Sequence, residues 1–196
     1  LLVAPINDAG EVEMDAFLKL LSARTKIVAI AHVSNALGTI LDVKAMTDAV
    51  REHAGNAVVL IDGAQGVPHR RVDVQAIGCD FYVFSGHKLF GPGGIGAVYG
   101  RKERWDALPP WQGGGSMVDK VTFEHSTYAA PPKRFEAGTP AVADAVGLGA
   151  AIDYLNGLGL EAIERYETDL LAYALEQLRS VNGLRLIGMP RERGGV

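Results

Sequence analysis

Apolar residues along this chain fall into two alternating patterns, short continuous runs and longer stretches with the repeat of an amphipathic helix. Buried strands are predicted at Leu1 to Pro5, Lys26 to Val33, Ala57 to Ile61 and Phe81 to Phe84. Helical spacing between these runs relates Met14, Phe17, Leu18 and Leu21, and later Met46, Ala49, Val50 and His53. We therefore predict an α/β fold with a mostly parallel sheet flanked by helices.

Shorter elements follow from capping and turn residues. Asp42 is placed to cap the second helix, and Asp73 to Ile77 predicts a further helical turn. Ile95 to Tyr99 predicts another strand, whereas Val121 to Tyr128, after the loop PPWQGGGSM, is at best a short, twisted one.

The final part of the chain changes in character. Ala141 to Asn156 is apolar enough for a buried helix, which Gly157 and Gly159 would end. An amphipathic helix follows, with the apolar stripe Ile163, Tyr166, Leu170, Leu171, Ala174, Leu175 and Leu178, and then Leu184 to Ile187 as the start of a strand. We predict a large domain over residues 1–157 and, over residues 158–196, a linker helix and the start of a small C-terminal α+β domain.

Composition and charge narrow the class of protein. A net charge of -4, a pI near 5.7 and the lack of a Lys/Arg cluster argue against nucleic-acid binding. The single cysteine, Cys79, excludes an internal disulfide and fits the cytoplasm, and no stretch has the roughly 18 apolar residues of a membrane span. Because Leu1 opens a strand-like run and Leu184 begins a strand without partners, we expect a fragment that lacks both ends.

Polar side chains follow three successive strands of the predicted sheet. They are His32, Ser34 and Asn35 after the first, Asp62 and Gln65 after the second, and Ser85, His87 and Lys88 after the third. In open α/β sheets, ligands bind just outside the carboxyl ends of the strands. We therefore expect these side chains to share one crevice.

This set matches the needs of pyridoxal phosphate (PLP), which uses a lysine for its aldehyde, an acid for its ring nitrogen and donors for its phosphate. Lys88 would bond to the aldehyde, and Asp62 would keep the ring nitrogen protonated. The remaining side chains would donate to oxygens, Asn35 and Gln65 to the phenolic oxygen and Ser85 and His87 to the phosphate.

Each side chain also has a purely structural interpretation. Asp62 could cap the turn after its strand, and Lys88 could be a solvated surface amine. His32 could shape the crevice or simply pack beside it. The remaining side chains could be ordinary turn residues, at Asn35 and Gln65, and a structural histidine, at His87. Their joint placement after successive strands is what favours cofactor binding.

The glycine string GPGGIG, residues 91–96, matches the dinucleotide pattern GxGxxG in letters but not in context. That pattern follows a strand and opens a helix, whereas these glycines lead into the β-rich run IGAVY. A nucleotide P-loop is excluded too, because no GK[ST] follows the glycines. We interpret the string as a tight turn that lets the backbone pass close to Lys88.

Several motifs together resemble a known family. HVSNALGT, DGAQ, DFYVFSGHKLFGPGGIG, PPWQGGGSM and RFEAGTP, in this order, are similar to the group II (SufS/CsdA-like) cysteine desulfurases, in the class V aminotransferase branch of PLP fold type I. The resemblance covers nearly the whole chain. It implies the large domain of an aspartate-aminotransferase-like fold, PLP as the cofactor and a homodimer.

The resemblance also implies roles for individual residues. Lys88 holds the cofactor covalently and Asp62 pairs with its ring nitrogen, while Asn35, Gln65, Ser85 and His87 keep the roles given above. Thr139, in AGTP, reaches the phosphate of the other subunit, and Gly114 and Gly115 lie near that interface. No metal site is predicted.

The family's reaction converts L-cysteine, or selenocysteine in some members, into L-alanine and leaves sulfur as a persulfide on an enzyme cysteine. An acceptor protein of the SufE or SufU type then takes the sulfur for iron-sulfur clusters. The resemblance places that cysteine and a substrate-binding arginine outside this chain. Since Cys79 precedes a buried strand, we expect a core thiol there, and a poor desulfurase from the chain by itself.

Two different functions stay open at this point. A kynureninase-like or epimerase-like enzyme, or an aminotransferase of the same branch, would keep the cofactor and change the substrate. A non-catalytic module would use the same crevice for a small phosphate ligand or a protein partner.

Overall fold

A four-stranded sheet organises the first half of the chain in the computed structural model, which describes residues 1–195. Its strands, in spatial order, are β1 (Ile27–Ala31), β2 (Val58–Asp62), β3 (Phe81–Ser85) and β4 (Gly96–Gly100). The first three are parallel, and β4 is antiparallel to β3. A separate hairpin pairs β5 (Val118–Val121) with β6 (Ser126–Tyr128).

Helices lie before β1, between the parallel strands, and both before and after the hairpin in the chain. They are α1 (Met14–Leu20), α2 (Val43–His53), α3 (Val74–Ile77), α4 (Lys102–Ala107), α5 (Val142–Leu158) and α6 (Leu160–Arg179). The predicted Asp42 cap is confirmed, because Asp42 accepts a hydrogen bond from Ala45 N–H, and the predicted helical turn at Asp73 to Ile77 is α3, which Asp73 caps. The alternation of strands and helices confirms the predicted α/β class with a mostly parallel sheet.

The main core lies where α1, α2 and α3 pack on this sheet. Its fully buried members include Val50, Val59 and Ile61, with Tyr82 of β3 beside them. Cys79 belongs to the same cluster and is completely buried, which confirms the predicted core thiol. Burial raises the pKa of this thiol above its ordinary value, so the thiolate that reacts is disfavoured.

A buried carboxylate lies at the amino end of β3. Asp80 is 1% exposed and accepts hydrogen bonds from Val59 N–H (2.7 Å), Arg51 Nη2 (2.8 Å) and Arg104 Nε (2.9 Å). Burial by itself would raise the pKa of Asp80, but these hydrogen bonds outweigh it and the pKa lies below its ordinary value. The carboxylate therefore stays charged inside the fold and joins α2, β2 and α4.

Two predicted strands are wrong. Leu1 to Pro5 and Leu184 to Ile187 form no strand, and both segments are largely exposed. Each is apolar enough for a strand, but within residues 1–195 no neighbouring strand pairs with it, and a strand needs a hydrogen-bonded partner. The short strand expected over Val121 to Tyr128 is instead the β5–β6 hairpin with a turn inside it.

The prediction of a buried helix at Ala141 to Asn156 is confirmed for the helix and wrong for most of its burial. α5 runs over Val142–Leu158 and ends at Gly159, whose φ is 85°. Its buried residues are Leu148, Ala151 and Leu155, while Val142, Val146 and Tyr154 are exposed. The remaining apolar surface of α5 has no cover within residues 1–195.

None of the helices in residues 1–195 is long and apolar enough to cross a membrane. The same residues hold no group of three or more His, Cys, Asp and Glu side chains placed to bind a metal ion.

Candidate active site

The three parallel strands end at one edge of the sheet, and the predicted polar residues follow there. Ala31, the last residue of β1, lies beside Asp62, which in turn lies beside Val83 of β3. His32 N–H donates to the Asp62 carbonyl (2.8 Å), so the pairing extends one residue beyond β1. The structure therefore brings together the ends of the three strands, as the sequence predicted.

Asp62 closes β2 and begins a tight turn. One of its carboxylate oxygens accepts a hydrogen bond from Ala64 N–H (2.9 Å), so the turn-capping interpretation holds. The side chain is nevertheless exposed, and a carboxylate has lone pairs left after one such bond. Capping and ligand binding are therefore compatible at Asp62. Gln65, half-buried, lies in the same turn.

Lys88 lies on one turn of 3₁₀ helix, Gly86–Leu89, directly after β3. Backbone bonds hold both ends of this turn, since Gly86 N–H donates to Ile95 O (2.8 Å) and Gly91 N–H donates to Gly86 O (3.0 Å). Phe90, next in the chain, has a φ of 60°, a conformation that non-glycine residues rarely adopt. The backbone that carries Lys88 is therefore fixed at the sheet edge.

Two further predicted ligands accompany Lys88. Ser85, the last residue of β3, and Lys88 are half-buried, and His87 is exposed. Within residues 1–195, His87 and Lys88 form no side-chain hydrogen bond or ion pair. The imidazole and the amine are therefore available to a ligand.

Asn35 lies in the loop after β1, and its neighbour Ser34 shapes that loop. Ser34 Oγ accepts from Ala36 N–H (3.3 Å) and Leu37 N–H (3.2 Å). Asn35 is exposed at the edge where β1 ends. This placement leaves its amide open toward solvent and toward a ligand.

Thr139 lies apart from the strand ends in the chain, in the loop that precedes α5. Gly138 N–H donates to Gly115 O (2.9 Å), so this loop is joined to the Pro/Gly segment before β5. Thr139 is exposed and, among residues 1–195, forms no hydrogen bond with the strand-end residues. The structure therefore does not place Thr139 in the strand-end group of the same chain.

A pair that sequence reasoning left undecided lies beneath this edge. His32 Nδ1 and Tyr82 Oη are 2.8 Å apart, and the two residues are 7% and 2% exposed. Burial first, and the charge of Arg70 second, lower the pKa of His32 to about 4. His32 is therefore packed below the crevice. The signal that was available for Tyr82 is a tyrosine within a buried strand, since its hydroxyl needs a partner.

Helix α6 is attached next to the Asp62 turn by charged pairs that the sequence analysis missed. His69, Arg70 and Arg71 face Glu167 (3.0 Å), Glu164 (3.6 Å) and Glu161 (3.5 Å) respectively. The spacing of three between these glutamates places them on one face of a helix, which is the signal that could have revealed the contact.

A cavity of about 630 Å³ lies along α6, away from the strand ends. Its lining is mostly apolar, with Ile163, Tyr166 and Leu170 among the side chains. It contains none of the predicted ligands. The strand-end site is by comparison an open shelf, with Asn35 and Asp62 exposed.

The donor set on this shelf fits PLP. It offers an amine without a protein partner for the aldehyde, a carboxylate with free lone pairs for the ring nitrogen, and a hydroxyl and an imidazole for the phosphate. The two amides supply donors for the phenolic oxygen. No cofactor group is left without a complementary side chain.

Fold and site together define an α/β protein with a lysine at the carboxyl edge of a mostly parallel sheet. The family model described as aminotransferase class-V matches residues 1–196. The chain therefore belongs to the aminotransferase class-V family.

Curated proteins that are similar in sequence to this chain are named cysteine desulfurases. The chain is 53% identical over 194 residues to the protein of Synechococcus elongatus, covering 99% of this chain and 31% of that one. It is 53% identical over 196 residues to the protein of Dickeya dadantii, covering 99% of this chain and 47% of that one. The chain spans about half the length, or less, of these relatives.

Solved structures agree with the fold. The cysteine desulfurase CsdA from Escherichia coli superposes with a TM-score of 0.87 at 38% identity, over 92% of this chain and 45% of that one. The apo cysteine desulfurase from Thermococcus onnurineus superposes with a TM-score of 0.92 at 35% identity, over 100% of this chain and 48% of that one. These matches confirm the predicted fold, and the family model confirms the predicted class V aminotransferase branch.

Proposed function

We propose that the protein carrying this chain is a PLP-dependent cysteine desulfurase. The observation that carries the proposal is the placement of Lys88 on a turn fixed at both ends, at the sheet edge where Asp62 also ends its strand. The names of the relatives described above support the choice of reaction within the family.

Bound PLP supplies an electron-withdrawing ring that acidifies the α-proton of an amino acid. Lys88 Nζ would hold the cofactor and, as a free amine, would take that proton. Asp62 keeps the ring nitrogen protonated through the carboxylate oxygen that Ala64 N–H does not occupy. Ser85 and His87 bind the phosphate, and Asn35 and Gln65 bind the phenolic oxygen. Thr139 takes its role in the partner subunit's site.

The proposed substrate is L-cysteine or selenocysteine. The carbon-sulfur bond of cysteine breaks, a thiol of the enzyme becomes a persulfide, and L-alanine leaves. Cys79 is unsuited to accept the sulfur, because it is fully buried and burial raises its pKa. A SufS-like role in iron-sulfur cluster assembly in the cytoplasm follows in this proposal, with a SufE- or SufU-type acceptor.

We also propose a homodimer, and a large domain that ends at residue 157. Helix α5 is mostly apolar, with Asp144 and Asp153 as its charged residues, and a helix of that kind is normally buried. Val146 and Trp111 are nevertheless 70% and 90% exposed, which supports a covering subunit. Sedimentation of the protein should show a dimer that Val146→Glu weakens, and a monomeric parent protein at micromolar concentration would contradict this.

The first experiment tests the cofactor. The protein carrying this chain should turn yellow with PLP and lose its visible band with borohydride, and Lys88→Ala should show no such band. Lys102→Ala is the matched control, since that exposed lysine pairs with Asp106 on α4, next to the amino end of β3 and not at the strand-end site. A parent protein that stays colourless, or a Lys88→Ala variant that keeps the reducible band, would refute the proposed role of Lys88.

The second experiment tests the reaction. With L-cysteine, the yellow protein should release alanine and form a persulfide in equal amounts, and Cys79→Ser should change neither. A yellow protein that forms no alanine from cysteine would point to a different substrate within the family. A colourless protein would point to a non-catalytic binding module.

A further inference from the structure

The strand-end site lies above one buried side chain, Tyr82, which reaches from β3 past β2 to the end of β1. Tyr82 rises from β3 and reaches under β2 to His32, just beyond the end of β1, where Tyr82 Oη and His32 Nδ1 are 2.8 Å apart. Their rings meet edge to face at an interplanar angle of 88°. The side chain therefore passes directly below the residue at which β2 ends.

The turn that holds Asp62 and Gln65 rests on this pair. A Cβ added at Gly63 would lie 1.9 Å from Tyr82 Cε1, and one at Gly66 would lie 2.6 Å from Tyr82 Oη and 2.9 Å from His32 Nδ1. Those contacts are shorter than any side chain tolerates, so both glycines are needed where the backbone meets the pair. The turn is therefore in close contact with Tyr82 and His32 and has no room to move toward them.

Hydrogen bonds fix the same turn from the sides. Gly63 N–H donates to Val83 O (2.8 Å), and the Asp62 carbonyl accepts from His32 N–H (2.8 Å). His32 therefore contacts the turn twice, through its backbone at Asp62 and through its ring at Gly66. The Tyr82 hydroxyl sets the orientation of that ring.

Both partners of this hydrogen bond are neutral near pH 7. Burial lowers the pKa of His32 to about 4, and burial likewise raises the pKa of Tyr82 above its ordinary value. The hydrogen bond therefore joins a neutral imidazole and a neutral hydroxyl, and the His32 tautomer sets which of the two donates.

We propose that Tyr82 is a positioning residue for the cofactor site, acting through His32 and the Gly63–Gly66 backbone to hold the turn that carries Asp62 and Gln65 in place. The inference rests on the proposed function. A phenylalanine would fill the same space beneath Gly63, but it would leave the His32 ring free to turn. The hydroxyl is therefore the atom to test.

The experiment measures PLP affinity by the visible band in Tyr82→Phe, with Tyr99→Phe as the matched control. Tyr99 lies opposite Tyr82 on β4 and undergoes the same chemical change. We expect affinity about three- to tenfold weaker for Tyr82→Phe, the range of one hydrogen bond, and unchanged affinity for Tyr99→Phe. Equal affinity in Tyr82→Phe and the parent protein would overturn the proposal.

A double-mutant cycle separates positioning from general stability. If Tyr82 acts through the turn, Tyr82→Phe should weaken PLP binding in the parent protein but much less in an Asp62→Asn background, while the urea midpoint drops equally in both. Additive losses of PLP affinity would overturn the proposal and leave Tyr82 a stability residue.

Variants of His32, the hydrogen-bond partner of Tyr82, test the proposal even where Tyr82→Phe folds poorly. His32→Asn retains an acceptor for the tyrosine hydroxyl and should bind PLP within about twofold of the parent protein, whereas His32→Leu should match Tyr82→Phe. Parent-like affinity in His32→Leu would contradict the proposal. A parent protein that never forms the visible band would instead refute the proposed function itself.

Discussion

Strand β3 carries charged residues near both of its ends, and the two ends are built in opposite ways. At the amino end, Asp80 is 1% exposed and receives hydrogen bonds from two arginines and a backbone N–H. At the carboxyl end, His87 and Lys88 have no side-chain partner within residues 1–195. The charge at the amino end is satisfied by the fold, whereas the side chains at the carboxyl end are left available to a ligand.

The largest effect on stability is expected at Asp80, at the amino end of β3. Asp80→Asn removes the charge between Arg51 and Arg104 and should lower the free energy of unfolding by about 3 kcal/mol, as for other broken buried ion pairs. Urea denaturation of the cofactor-free protein measures it. Asp48→Asn, which breaks the exposed Lys44–Asp48 pair, should cost less than about 0.5 kcal/mol. Similar losses of unfolding free energy in Asp80→Asn and Asp48→Asn would show that the buried pair stabilises the fold no more than the exposed pair.

The second effect is a loss of stability at low pH that arises from His32, which lies beneath the carboxyl-end site. His32 has a pKa of about 4 in the fold, and an unfolded histidine titrates near 6.5. The unfolded chain therefore takes up a proton first as the pH falls, so stability that is complete above pH about 6.5 is lost on the way to pH about 4. Between pH about 7 and 5 the loss should be about 2 kcal/mol.

Urea denaturation at the two pH values measures this loss. His32→Asn should flatten the acid-side decline, because the variant has no group to protonate there. His53→Asn should leave it unchanged, since His53 is exposed on α2. A decline of equal slope in His32→Asn would assign the proton uptake to other groups.

A smaller effect on the free energy of unfolding is expected at Cys79, next to Asp80. Cys79→Ser places a hydroxyl in a fully buried site and should cost about 1 to 2 kcal/mol. The native thiol should react with a thiol reagent at least about tenfold more slowly than the unfolded one, because burial blocks access and disfavours the thiolate. Equally fast labelling of both states would show an open thiol.

The smallest effect on stability is expected at the lysine itself. Lys88→Ala should change the free energy of unfolding of the cofactor-free protein by less than about 0.5 kcal/mol, because the half-buried side chain has no partner there. The same variant should abolish the reducible visible band with PLP. A large loss of stability would mean that Lys88 has a structural role after all.

The sequence predicted the sheet and the strand-end residues because both follow from local patterns. Buried parallel strands are continuous apolar runs, and polar residues such as Asp62 and Lys88 directly after them mark the ligand edge. The spatial order of β1, β2 and β3 then followed from placing strands that are consecutive in the chain side by side.

The wrong strands at Leu1 to Pro5 and Leu184 to Ile187 show where that reasoning stops. A run of apolar residues states a preference, but a strand exists only when another strand accepts its hydrogen bonds. The exposed face of α5 has the same origin, because apolar composition predicts that a surface is covered without saying by what.

The contact between Tyr82 and His32 could not be predicted because it joins residues 50 apart in the chain. Periodicity fixes which face of a strand a side chain occupies, whereas a hydrogen bond depends on the height and direction of both side chains. The tyrosine in a buried strand and two glycines in DGAQG were local signs of it, but neither names the partner, and glycines in a turn have many explanations.

The antiparallel direction of β4 has a consequence for the order in which the protein folds. Because β4 returns beside β3, Ser85 and Gly96 pair across a short loop, while β1 and β2 pair only after a long crossover from Ile27 to Val58. Loops between nearby residues close faster than crossovers, so we expect the Lys88 turn to form early and the edge with Asp62 to be completed late. Cofactor uptake during refolding would then report the final pairing of the sheet.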